Sequence, residues 1–94
     1  MSEKQAYEKK LQAKLDEWSA EIDKLKAKAD SAEADVQLDY NRRIDGLRSM
    51  QQAANERLVA LRDASDNAWQ DLKGGMESAL DSLGNALRSA HSRF

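Results

Sequence analysis

Apolar residues recur along this chain at alternating intervals of three and four, and no proline interrupts them. From Tyr7 the series runs Leu11, Leu15, Trp18, Ile22, Leu25, Ala29, Ala32 and Val36. A second series runs Ile44, Leu47, Gln51, Ala54, Leu58, Leu61, Ser65, Ala68 and Leu72. A 3.6-residue helix gathers such positions onto one stripe, whereas a strand exposed on one face needs a period of two. The spacing predicts an all-α protein. Composition agrees, because Ala, Leu, Glu, Asp, Lys, Arg and Gln dominate while β-branched and aromatic residues are scarce.

Between the two series the steps become Val36, Tyr40, Ile44, an eleven-residue advance from Val36 to Leu47 that forms a stutter in a heptad pattern. The same stretch holds Asp39, Asn41, Asp45 and Gly46, which tolerate turns. Two architectures follow. One is a single amphipathic helix over about 3–73, roughly 105 Å long at 1.5 Å per residue. The other is a helical hairpin turning near 38–46. Asp39 stands three and four residues before Arg42 and Arg43, a spacing that supports continuous helix, so the long helix is preferred. Ser2 followed by Gln5 matches a capping box and places the helix start near Glu3.

Gly74 and Gly75 stand in succession after Lys73, and each glycine inside a helix costs about 1 kcal/mol relative to Ala. The pair predicts a break, dividing the chain into a coiled-coil rod, 1–73, and a short amphipathic C-terminal helix, 74–94. Met76, Leu80, Leu83, Leu87 and Phe94 form the apolar face of that tail, while Ser78, Ser82, Asn85, Ser89 and Ser92 replace the charges on its opposite side.

A chain with 34% charged and 40% hydrophobic residues and no Cys cannot assemble a thick core or staple itself with disulfides. The rod stripe therefore has to meet another stripe, either within the chain or on a second copy. Leu11, Leu15, Trp18, Ile22, Leu25, Val36, Ile44, Leu47, Leu58, Leu61 and Leu72 are the expected self-association residues, with a second copy of the chain as partner. The polar Gln51 and Ser65 fall at core positions, where they weaken the seam and favour one register.

Chemistry is sparse. Fifteen basic and 17 acidic residues interleave to a net charge of −2, so no basic block offers phosphate neutralisation and no nucleic-acid partner is expected. His91 is the only histidine and reads as a solvated surface residue; without Cys or Glu-x-x-His spacing, no metal or other cofactor is expected. The acid pairs Glu17 and Glu21, and Glu77 and Asp81, read as surface charge. The glycines form no phosphate-cradling loop, and neither a catalytic constellation nor a small-molecule substrate is indicated. No apolar run suits a signal peptide or a membrane span, so a cytoplasmic location is the default.

LDEWSAEID, Leu15 to Asp23, together with SDNAWQDLKGG, Ser65 to Gly75, ahead of a tail rich in Ser and Ala, resembles the small bacterial coiled-coil stress-response proteins. The resemblance spans nearly the whole chain. It implies a soluble, helical, non-enzymatic bacterial protein without catalytic residues to carry over. That family often has Ala at the first glycine position, which makes Gly75 the more significant of the two. The expected function is thus a self-associating structural or interaction protein with a protective role under stress. The alternative is a peripheral protein that lays the 74–94 helix on a membrane or other lipid surface through Met76, Leu80, Leu83, Leu87 and Phe94.

Overall fold

The computed structural model describes residues 2–94 and contains three helices of nearly equal length: α1, Glu3–Asp30; α2, Ala34–Asp63; and α3, Asp66–Arg93. Helices of 28 to 30 residues are roughly 42–45 Å long, and the molecule measures 50 × 21 × 19 Å. Such dimensions require the helices to lie side by side. The all-α class is as expected; the continuous 3–73 helix is not observed, and neither is a turn near 38–46, which lies inside α2.

Each reversal is made without Gly or Pro. After α1, Ser31 keeps near-helical dihedrals (φ −93°, ψ −2°) and its hydroxyl donates to the Lys28 carbonyl at 3.0 Å. The Gln37 side-chain amide reaches back to the Asp30 carbonyl at 2.9 Å. These bonds satisfy carbonyls left open at the helix end, so the chain can turn over the three residues Ser31, Ala32 and Glu33. At the second reversal Ala64 and Ser65 are both extended. The Ser65 hydroxyl accepts from the Ala68 amide at 3.4 Å, and Asp66 stands in the first turn, where a negative charge suits the helix dipole. Ser65, expected at a seam position, is instead the N-cap of α3. Ser2 caps α1 as expected, with both bonds of the capping box formed.

Two short reversals make α1 and α3 parallel to each other and antiparallel to α2. Tyr7 lies against Trp69 and Glu77, Trp18 against Gly84, and Glu21 against His91, so positions advance together along α1 and α3. α2 is the central helix: α1 and α3 pack along its length, whereas they approach each other at only a few levels. The core takes Leu11, Leu15, Ile22, Leu25 and Ala29 from α1. From α2 it takes Ile44, Leu47, Ala54, Leu58 and Leu61. Trp69, Met76, Leu83, Leu87 and Ala90 of α3 complete it.

Gly74 and Gly75 do not break the chain. α3 runs through both, and no glycine has a positive φ. The helix carries a third glycine, Gly84, and five of its apolar side chains are buried on either side of these positions. Burying a large apolar side chain contributes on the order of 1.5–3 kcal/mol, which outweighs about 1 kcal/mol per glycine. The expected boundary at residue 73 is therefore absent, and the Ser-faced segment is the C-terminal part of a longer packed helix that begins at Asp66.

Polar contacts between helices lie at the margins of the core. Arg62 of α2 donates to Gln12 of α1 at 2.9 Å, Lys26 of α1 to Asn41 of α2 at 2.9 Å, and Arg57 of α2 to the Gly75 carbonyl at 3.1 Å. Arg48 and Asp23 form an ion pair between α2 and α1. Near the C-terminus Phe94 stacks on Tyr40, with ring centroids 4.1 Å apart.

Candidate functional site

Most residues expected to form a seam with a second copy are covered by the chain's own helices. Leu11, Leu15, Ile22, Leu25, Ile44, Leu47, Leu58 and Leu61 are buried. Trp18 is half-buried, while Val36 and Leu72 are exposed, at 37% and 39%. The 3–4 spacing correctly marks an apolar stripe, but in this structure the partner stripes are intramolecular. The tail face is likewise occupied: Met76, Leu83 and Leu87 are buried, and Leu80 and Phe94 half-buried. Neither set presents a free apolar ridge.

A groove of about 830 Å³ lies open between α1 and α3. It exists because those two helices each follow α2 more closely than they follow each other. Leu11 and Trp18 on α1 and Leu80 and Leu87 on α3 supply its apolar surface. Gly84 lets the two helices come together at mid-length: a Cβ there would stand 3.2 and 3.3 Å from two carbons of the Trp18 indole. A side chain at that position would have to push the ring aside.

Polar contacts flank the groove. Towards the N-terminus the Tyr7 hydroxyl donates to Glu77 at 2.7 Å, and the ring meets Trp69 edge to face at 5.5 Å between centroids. The Lys73 ammonium lies 4.9 Å from the centre of the Tyr7 ring. Burial, and secondarily the hydrogen bond to Glu77 and the negative charge of Glu77, push the Tyr7 phenol up to about 12. Towards the other end His91 Nε2 stands 3.0 Å from Glu21 Oε2. His91 is exposed, as expected, but it also joins α3 to α1.

Along the α1 rim stand Lys10, Lys14, Glu17 and Glu21, and along the α3 rim Asp81, Arg88 and His91. Lys14 lies 3.6 Å from Glu17 in an exposed pair and 5.1 Å from the centre of the Trp18 ring. The rim is thus charged and solvated while the floor is apolar, the layout of an interaction surface with an apolar centre and a polar border.

The rim charges, Gly84 and the depression they border were not identified as a site from the sequence. The available signal was the 4-3-4 spacing of Lys10, Lys14, Glu17 and Glu21, which sets four charges in a row one position from Leu11, Leu15, Trp18 and Ile22. Among the described residues no three His, Asp or Glu side chains gather where a metal ion could sit, and no helix is long and apolar enough to cross a membrane. No family model, curated protein or solved structure matches this chain.

Proposed function

We propose that this chain is a non-enzymatic helical interaction protein whose working surface is the α1–α3 groove. The observation that carries the reading is an apolar depression with charged rims and Trp18 half-buried in its wall; the exposed apolar side chains Val36, Leu38, Val59 and Leu72 all lie outside it. Association through helical faces remains the mode of action. Its seat moves from the buried stripe to the groove. The stress-related, protective role rests on the resemblance of Leu15–Asp23 and Ser65–Gly75 alone.

The test is a photo-crosslinking residue at Lys14, on the groove rim, compared with one at Glu56, an exposed position on α2. Defined adducts from position 14 and none from 56 support the groove as the working surface. Equal yields from both positions, or none from either, refute it.

A lipid surface is the second reading, and one feature of α3 favours it. This helix holds three of the four glycines and a Ser-rich polar side, so it depends most on packing for its helicity and is the easiest to release. Because Met76, Leu83 and Leu87 are covered in the bundle, lipid binding would require α3 to leave α2 first.

A further inference from the structure

The charges on the α1 rim have a symmetry. Lys10, Lys14, Glu17 and Glu21 are spaced 4, 3 and 4, a palindromic interval, and their signs run plus, plus, minus, minus. All four border the groove. A row of this kind complements itself when a second copy is laid against it in the opposite direction. Lys14 then meets Glu17 of the other copy, and Lys10 meets Glu21.

The α3 rim repeats the pattern. Asp81 and Arg88, of opposite sign, lie on either side of Gly84 along the same edge. Antiparallel apposition of two α3 helices about Gly84 brings each Asp81 to an Arg88. One axis must serve both helices, and the structure puts the two midpoints at one level. Helical side chains lean towards the N-terminus, so the Trp18 ring lies about a turn before its own Cα, level with Lys14 and Glu17. That ring is the group touching Gly84.

From this juxtaposition we infer that the partner of the groove face is a second copy of the chain, its charged rims set on these rims about a two-fold axis perpendicular to the helices. α1 lies antiparallel on α1, and α3 antiparallel on α3. The inference rests on the groove being the working surface and names its partner. An isologous contact of this type closes as a dimer and leaves no free surface of the same kind. The paired face is about 21 Å wide and runs roughly 20 Å from Tyr7 to Glu21. Its area therefore falls below that of standard stable interfaces, and dimerisation is expected to be weak and reversible. The intrahelical Lys14–Glu17 pair is exposed and weak, so it competes little with a contact between copies, whereas Glu21 has to share its carboxylate with Lys24 at 3.4 Å and His91 at 3.0 Å.

A parallel dimer, with α1 over α3 of the other copy, would also set opposite charges together, since Lys14 and Asp81 lie at similar heights. Charge reversal with mixing separates the two geometries. Lys10→Glu/Lys14→Glu makes the α1 row wholly acidic, and Glu17→Lys/Glu21→Lys makes it wholly basic. Sedimentation equilibrium on the full chain up to about 500 µM is expected to show wild type rising from 10.5 kDa towards twice that mass. Each variant alone stays monomeric, and an equimolar mixture of the two recovers the heavier species. In the parallel arrangement the complement lies on an unaltered α3, so mixing restores nothing. A wild type that stays monomeric, variants that associate like wild type, or a mixture that remains monomeric each overturns the inference. Helical content is measured for every variant; if the double basic variant loses it, Lys14→Glu with Glu17→Lys repeats the test beside the axis. A heterologous adduct from position 14 alongside a monomeric mixture removes the second copy as partner while leaving the groove as the working surface.

Discussion

Replacing Gly74 by Ala separates a helix that runs through the glycine pair from a chain that breaks there. In the structure Gly74 has helical dihedrals, and a Cβ at this position meets nothing within 4 Å. Alanine therefore adds no clash. It narrows the conformations open to the unfolded chain and removes the helix penalty of glycine, a gain of about 1 kcal/mol. In a domain of this size that raises Tm by roughly 4–8 °C. Gly46 in α2 is equally open and predicts a similar gain. The two sites lie on different helices and at different levels of the bundle, so the double variant gains roughly 2 kcal/mol. The other glycines grade the response. At Gly75 the new Cβ stands 3.1 Å from Arg57 Nη1, the far end of a flexible side chain, so a smaller gain remains. At Gly84 it meets the Trp18 indole at 3.2 Å, and moving the ring offsets most of the benefit. Thermal melts followed by circular dichroism at 222 nm, with urea titration as a check, should rank the variants Gly74, Gly75, Gly84 in decreasing gain. A lower Tm for Gly74→Ala refutes the reasoning, because it would mean that this glycine occupies a left-handed cap at a helix end.

Leu58→Ala, at a site 1% exposed, should cost about 2–5 kcal/mol, while Leu72→Ala, at 39% exposure, should stay within about 0.5 kcal/mol in the same urea titration. Similar losses at the two sites would contradict the burial pattern. The phenol of Tyr7 is raised from 10.0 to about 12, so the folded chain holds that proton more tightly than the unfolded one. The resulting stability is complete below about pH 10 and is lost as pH climbs through about 12, and Tyr7→Phe should lack this part of the alkaline decline. Spin labels at residues 10 and 70 should lie within roughly 20 Å, because Tyr7 touches Trp69, whereas a continuous helix separates them by roughly 90 Å. In liposome flotation the folded chain should remain in the aqueous fraction, since Met76, Leu83 and Leu87 are enclosed; flotation with unchanged helicity would favour release of α3 onto lipid.

Local sequence determined the helical class, the Ser2 cap and which face of each helix is apolar. These depend on intervals of three and four residues and on hydrogen bonds between near neighbours. A period of 3.6 specifies a stripe without specifying what covers it, so Leu11 to Leu25 reads the same whether its partner is another copy or the next thirty residues. The reversals were hard to see for a related reason. Ser31, Ala32 and Glu33 include no helix breaker, and Ser65 sits at a stripe position, so its capping role shows only once the chain turns. The glycine pair misled in the opposite direction, because a local penalty of about 1 kcal/mol per residue yields to the burial of Trp69, Met76 and Leu83 in the same helix. The row from Lys10 to Glu21 was present in the spacing, but a row of charges becomes the rim of a groove only when α2 holds a parallel α3 beside α1. That placement depends on how long-range burial closes the bundle, and no interval along the chain encodes it.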